Sequence, residues 1–150
     1  LGVAPGSEDT SGEVVVIETH LDDQSPEQLA WVTERLRASG ALDVYLSATQ
    51  TKKQRPGWLV TVLAEPARAG ALEDVLLNES TSLGLRSRRE RRRVLPRELV
   101  SVETDYGPIR VKRVRRPDGR VTRAPEFDDC ARAAEEHGVP LREVFHAAEG

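Results

Sequence analysis

A chain of 150 residues is long enough to bury a core without disulfides, and its one cysteine, Cys130, leaves nothing to staple. No apolar run approaches membrane-spanning length and no charged start leads into an apolar stretch, so no membrane partner is expected and a cytoplasmic location is the default. The net charge of −3 conceals an asymmetry. There are 6 basic and 13 acidic residues before Arg86, 14 and 5 from Arg86 to Arg123, and 2 and 7 afterwards, so the basic middle suits an anionic ligand, an acidic neighbouring subunit or nucleic acid.

Residues 1–12, with Pro5, three glycines and small polar side chains, read as a linker or disordered terminus. A start at Leu1 and a composition without methionine lead to the expectation that the chain is a piece of something longer. Val14 to Ile17 is a buried strand that runs into the carboxylate-rich segment Glu18 to Asp23. Ser25 as N-cap, Pro26 at the first helical position and Gln28 closing a capping box predict a helix over 26–39, with Leu29, Val32, Leu36 and Trp31 on its apolar side and Gly40 as its stop. Two strands follow, 42–49 and 58–63, joined by the basic connection Thr51 to Gly57. A helix begins at Pro66 and ends near Asn78, ahead of the hydroxyl-rich segment Ser80 to Gly84. Leu85 to Leu95 alternates charge against charge, which fits an exposed or edge strand protected by arginine.

This order, βαββαβ over 13–95, predicts an α+β protein whose first subdomain is ferredoxin-like. Beyond Pro96 the pattern becomes a β-meander with short strands at 99–103, 109–114 and 120–122, then helices at 125–136 and 140–148, giving a smaller α+β subdomain over 96–150. Inside a helix, Cys130 is expected as a small packed hydrophobe.

Three loops carry candidate chemistry. Glu18, Asp22 and Asp23 offer hard oxygen ligands for Mg²⁺ or Mn²⁺, although acids ahead of a helix are also favoured by its dipole. Lys52, Lys53 and Arg55 offer charge and a bidentate fork for a polyphosphate, or are solvated charge at a hairpin tip. Ser80, Thr81 and Ser82 supply hydroxyls and amides that suit phosphate, or merely end a helix. Neither a G-x-x-x-x-G-K-[ST] nor a G-x-G-x-x-G pattern occurs. The run Arg86, Arg88, Arg89, Arg91, Arg92, Arg93 and Arg97 invites a nucleic-acid reading, but no aromatic lies between Arg86 and Arg97, so edge protection or subunit contact explains it better and nucleic acid is not the expected partner. His20, His137 and His146 show no metal-ligand spacing with Cys130.

The segments ETHLDDQSPE (18–27), TKKQRPG (51–57), ESTSLGLR (79–86), VLPRE (94–98), YGPIRVK (106–112) and GVPLREV (138–144) together resemble the C-terminal region of the LarC nickel-insertion family. The resemblance implies a CTP-dependent nickel insertase, or cyclometallase, of the lyase type. That family metallates pyridinium-3,5-bisthiocarboxylic acid mononucleotide with hydrolysis of CTP to CMP and pyrophosphate, and so matures the nickel-pincer cofactor of lactate racemase. It implies that this region binds CTP with Mn²⁺ or Mg²⁺ and that Ni²⁺ is the inserted metal. Whole insertase activity is not expected of this stretch alone, because the family also has an N-terminal portion. Carried over by position, Asp22, Asp23 and Glu18 fall to the cation. Lys52, Lys53, Arg55, Ser80, Thr81, Ser82 and Arg86 fall to the triphosphate, with Lys112 a more remote phosphate candidate. The family often has asparagine where this chain has His20, whose imidazole can still donate a hydrogen bond. Self-association to a trimer or hexamer is expected. The reading from another class is a non-enzymatic ferredoxin-like regulatory or assembly domain that binds a small anion between subunits.

Overall fold

The computed structural model describes residues 10–150, which fall into two compact units, 11–92 and 93–150. Most of the expected linker at 1–12 lies outside the described residues, and its last three, Thr10 to Gly12, open the first strand.

The first unit is built in the order β1 (Thr10–Leu21), α1 (Pro26–Ala38), β2 (Asp43–Gln50), β3 (Pro56–Ala64), α2 (Ala69–Glu79) and β4 (Arg86–Val94). Its sheet has the order β2-β3-β1-β4, the ferredoxin-like arrangement read from the βαββαβ sequence. Both ladders that β3 makes are antiparallel: Ile17 is opposite Val62 and Leu21 opposite Trp58 on one side, Val44 opposite Val62 on the other. Alternation then sends Val15, Ile17 and Leu21 to the same face as Val60, Val62 and Ala64. That face receives Leu29, Val32 and Leu36 from α1 and Leu72 and Leu76 from α2, all at most 3% exposed, whereas Trp31, expected with them, is 54% exposed and its indole N–H donates to Glu79 Oε2. The start of α1 follows its sequence signals: Gln28 N–H donates to Ser25 Oγ at 3.2 Å, and Ser25 N–H donates to Gln28 Oε1 at 2.9 Å.

Two boundaries of this unit differ from expectation. Glu18, Thr19, His20 and Leu21 belong to β1 and not to a loop, because Thr61, Val60, Leu59 and Trp58 on β3 continue the ladder past the apolar run. Pro66 opens a short 3-10 turn, Pro66–Arg68, before α2 begins at Ala69. β4 is the edge strand predicted from its arginines, exposed along most of its length.

The second unit is a three-stranded meander with two helices: β5 (Arg97–Thr104), β6 (Gly107–Arg115), β7 (Val121–Pro125), α3 (Phe127–His137) and α4 (Leu141–Glu149). Pro125 ends β7 opposite Val111 and does not start the helix as expected, since its extended backbone completes the ladder and Glu126 takes the cap position. Ile109, Val111, Cys130, Ala133, Val144 and Ala148 form the core, and burial pushes the Cys130 thiol up, aided by the Asp129 charge. Among the described residues no helix is long and apolar enough to cross a membrane.

Asp129 locks α3 to β6. Its buried carboxylate accepts from Arg110 Nε at 2.8 Å and Nη2 at 2.7 Å, and from the Arg110 backbone N–H at 2.9 Å. These bonds hold its pKa well below the usual carboxylate range. A depressed carboxylate contributes stability above its unfolded value of about 3.9 and loses it as pH falls toward the folded value. Thermal melts should therefore give Asp129→Asn a midpoint lower by on the order of 5 °C at pH 7. They should also show the gap to the parent chain closing as pH drops below about 4. A gap that stays constant from pH 7 to 3 would refute this role for Asp129.

Candidate functional site

The site lies where β1 ends. Leu21 is the last paired residue, and Asp22 and Asp23 follow in the short passage to the Ser25 cap of α1. An open cavity of about 570 Å³ sits there. Glu18, His20, Asp22 and Asp23 line one side, and Thr81 to Arg86, on the passage from α2 to β4, line the other.

The two sides are stitched by hydroxyl chemistry. Thr81 Oγ1 donates to Asp23 Oδ1 at 2.5 Å, and Thr81 N–H donates to Gln24 Oε1 at 3.2 Å. Thr19 Oγ1 lies 2.6 Å from Ser82 Oγ and 2.9 Å from the Gly84 carbonyl oxygen. Ser82 Oγ in turn donates to that carbonyl at 2.6 Å, and Ser80 Oγ donates to the Leu76 carbonyl at the same distance, closing the end of α2. All three hydroxyls expected on a phosphate are thus engaged within the protein, Ser80 at the helix terminus, Thr81 on Asp23 and Ser82 on the Gly84 carbonyl, and of these Thr81 and Ser82 stand on the cavity wall.

Thr19 is the site residue that motif reading passes over. It is 6% exposed and takes a core-facing position between Ile17 and Leu21 on β1. A polar side chain in the inward register of a strand is the signal that marks it, because burial demands a hydrogen-bond partner.

Glu18 does not stand free for a cation as expected. Its Oε2 lies 3.3 Å from Arg86 Nε and 3.2 Å from Arg88 Nη1. Burial pushes the carboxyl up, but the hydrogen bonds and charges of Arg88 and Arg86 outweigh it and leave the pKa below the ordinary value. The cause is the longer β1, which places Glu18 within reach of edge strand β4. Arg86 remains on the cavity lining while anchored to Glu18. His20 lies on the same lining and is exposed.

Lys52, Lys53 and Arg55 do not line the cavity. They occupy the tip between β2 and β3, at the sheet end where β1 also stops. The base of this tip is close to the acids: a Cβ on Gly57 would meet the Leu21 carbonyl oxygen at 3.1 Å and Asp22 Cα at 3.5 Å, so a glycine permits the approach. Thr51 N–H and Oγ1 both donate to the Arg55 carbonyl, at 2.7 and 3.1 Å, and the tip passes through left-handed backbone at Lys53 (φ 57°) and Gln54 (φ 58°). Lys112 belongs to the second unit and pairs with Glu126 at 3.4 Å.

Among the described residues no three of His, Cys, Asp and Glu converge as a cation cage. Two adjacent carboxylates beside an open cavity suit a hard cation that completes its shell with phosphate oxygens and water.

The family model for nickel insertion proteins matches residues 3–145. A putative nickel insertion protein of Desulfotalea psychrophila is 46% identical over 138 residues, 92% of this chain and 35% of that protein. The pyridinium-3,5-bisthiocarboxylic acid mononucleotide nickel insertion protein of Acetivibrio thermocellus is 42% identical over 147 residues, 98% of this chain and 36% of that protein. The chain thus spans about a third of the length of the curated relatives it matches. Among solved structures, the apo C-terminal domain of a cyclometallase involved in synthesis of the NPN cofactor of lactate racemase superposes with a TM-score of 0.85. It is 36% identical, and the match covers 93% of this chain and 96% of that one. A Methanopyrus kandleri protein superposes with a TM-score of 0.74 at 26% identity, over 95% and 89% of the two chains. The chain belongs to the nickel insertion protein family and corresponds to the C-terminal domain of its cyclometallase relatives.

Proposed function

We propose that this chain is the CTP- and divalent-cation-binding region of a cytoplasmic nickel insertase acting on pyridinium-3,5-bisthiocarboxylic acid mononucleotide, with Ni²⁺ as cargo and CTP cleaved to CMP and pyrophosphate. The observation that carries the reading is the cavity at the end of β1, where two carboxylates, two hydroxyls and an anchored arginine face one volume beside a basic loop.

Asp22 and Asp23 hold Mn²⁺ or Mg²⁺ jointly with phosphate oxygens, and Thr81 orients Asp23 for that task. Glu18 serves as the positioning partner of Arg86 and is released from the cation role. Arg86 takes phosphate oxygens, Lys52, Lys53 and Arg55 approach from the neighbouring tip, and Thr81 and Ser82, whose donors are engaged by Gln24, Asp23, Ser80 and Gly84, shape the cavity wall against which the phosphates rest. The cation supplies charge neutralisation and a template for the bond between the α- and β-phosphates. The side chains bind and orient the triphosphate and offset the charge that develops on the departing pyrophosphate. A trimer or hexamer of the chain is proposed as the working form.

Calorimetry should detect CTP binding in excess Mn²⁺. Asp22→Lys or Lys52→Glu should weaken it by at least about 10- to 100-fold, the loss of one charge-assisted bond worth roughly 1.5–3 kcal/mol. Absence of CTP affinity in the parent chain would sink the reading, and base-indifferent binding without CTP turnover in the full-length protein would favour an anion-binding assembly domain.

Thr19→Val removes the hydroxyl and keeps the shape. It should cost about 1 kcal/mol of stability. It should also raise amide exchange at Ser82 to Gly84 and weaken CTP binding. Unchanged exchange in that segment would show that Thr19 is not its anchor.

A further inference from the structure

The four-stranded sheet of the first unit ends in β4 on one side and β2 on the other, and the two edges carry different chemistry. β4 presents Arg86, Arg88, Arg89, Arg91, Arg92 and Arg93, so two such edges laid together would repel. β2 has Asp43 as its one charged residue and contains neither proline nor glycine. Asp43, Tyr45, Ser47, Ala48 and Gln50 along it are exposed. An edge of this kind is a template for another strand unless side chains cover its backbone.

The cover on β2 extends to a single residue. Gln50 stands opposite Pro56, which has no N–H, and the ladder closes with Thr51 N–H donating to the Arg55 carbonyl. The odd-numbered residues of β2 therefore bond to β3, and the even-numbered ones turn their N–H and C=O outward. At Val44 both outward groups are met: its N–H donates to Asp43 Oδ1 at 2.8 Å and its carbonyl accepts from Arg37 Nη2 at 2.9 Å. Among the described residues nothing meets the outward groups of Leu46, Ala48 and Gln50. Half of the edge is capped and half is open.

We propose that the open half, Leu46 to Gln50, pairs antiparallel with the same segment of a second copy of this chain, about a two-fold axis at Ala48. This rests on the self-association proposed above and sharpens it, since a hexamer made of two trimers contains two-fold axes and a lone trimer contains none. In this register Ala48 faces its own counterpart and Leu46 faces Gln50 of the second copy, so only open residues enter the ladder. The next register would draw in Val44 and break its bonds to Asp43 and Arg37. Ser47 then lies directly across from Thr49 of the second copy, in the closely spaced kind of pair. Thr49 Oγ1 is buried without a hydrogen-bond partner, and one turn about χ1 brings it to that serine hydroxyl. Tyr45, 46% exposed, comes beside Thr51 of the second copy. Beyond the paired residues the acid Asp43 of one copy approaches the tip that carries Lys52 and Lys53 of the other. An acid at one end and lysines past the other is the charge pattern that antiparallel self-pairing needs, because each end meets the opposite end of its twin.

The test is light scattering and sedimentation of the 150-residue chain. The parent should run as an even-numbered assembly. Ala48→Pro removes an outward N–H and leaves the β2–β3 ladder its bonds, so the mass should halve with an unchanged far-ultraviolet spectrum. Ala48→Lys sets two like charges face to face on the axis and should halve the mass even where proline disturbs the strand. Asp43→Lys should weaken the contact by on the order of 10-fold, and adding Lys53→Asp should restore it. Ala48→Cys should cross-link copies on mild oxidation, since paired residues have Cα atoms about 5.5 Å apart, while the parent, whose Cys130 is buried, should not. A parent that runs as a trimer overturns the β2 pairing and leaves self-association standing. A parent that stays monomeric overturns both. A folded Ala48→Lys that keeps the parent mass also overturns the pairing and places the contact between copies elsewhere.

Discussion

The interior position of β1, between β3 and β4, is the constraint on which the site depends. Because β3 continues to pair with it through Glu18, Thr19, His20 and Leu21, the strand stays ordered to its last residue. A strand that ended at Ile17 would leave its acids on a free loop. The ladder instead carries Asp22 and Asp23 to a fixed point at the mouth of α1, with the end of α2 on one side and the β2–β3 tip on the other. Thr19 extends that order sideways. Its hydroxyl is buried on the helix-facing side of the sheet and meets its hydrogen-bonding needs on Ser82 and Gly84, so the passage between α2 and β4 is drawn against β1.

Electrostatics sort the charges at this point into two classes. Glu18 is neutralised by Arg86 and Arg88, and its carboxyl is held below the ordinary pKa by them in spite of burial. Asp22 and Asp23 are exposed, with Thr81 the hydroxyl on Asp23. The basic middle of the sequence therefore does not act as one patch. Arg86, Arg88 and Arg89 compensate acids of β1 and β4, and Arg110, Lys112 and Arg113 are paired within the second unit. An edge strand with three arginines, Arg86, Arg88 and Arg89, tied to its own sheet differs from a nucleic-acid footprint, where clustered cations must remain available to phosphates.

The second unit is organised around a different buried charge. Asp129 reaches from α3 to both the backbone and the guanidinium of Arg110, which sets the register of that helix on β6 above the core of Ile109, Val111 and Cys130. Membership in the nickel insertion family gives both units a common context, and the C-terminal cyclometallase domain that this chain resembles over 93% of its length carries the same fold. The chemistry of the proposed site is confined to the first unit, where acid, hydroxyl and base converge at one end of a four-stranded sheet.

Local signals determined much of this protein. The capping box at Ser25, the alternation in Val44 to Ala48 and the arginine-rich edge at Arg86 to Val94 act over a few residues, and their placement in the fold follows from the βαββαβ order. The family was legible as well, because short motifs in a set order survive without knowledge of contacts. What the linear pattern left open was decided by partners distant in sequence. Whether Glu18 faces a cation or an arginine depends on a residue 68 positions away, and whether Pro125 starts a helix or ends a strand depends on Val111. Thr19 shows the reason most plainly: a threonine in a strand is unremarkable until tertiary packing buries it, and only then does the cost of an unsatisfied hydroxyl make Ser82 and Gly84 its necessary neighbours.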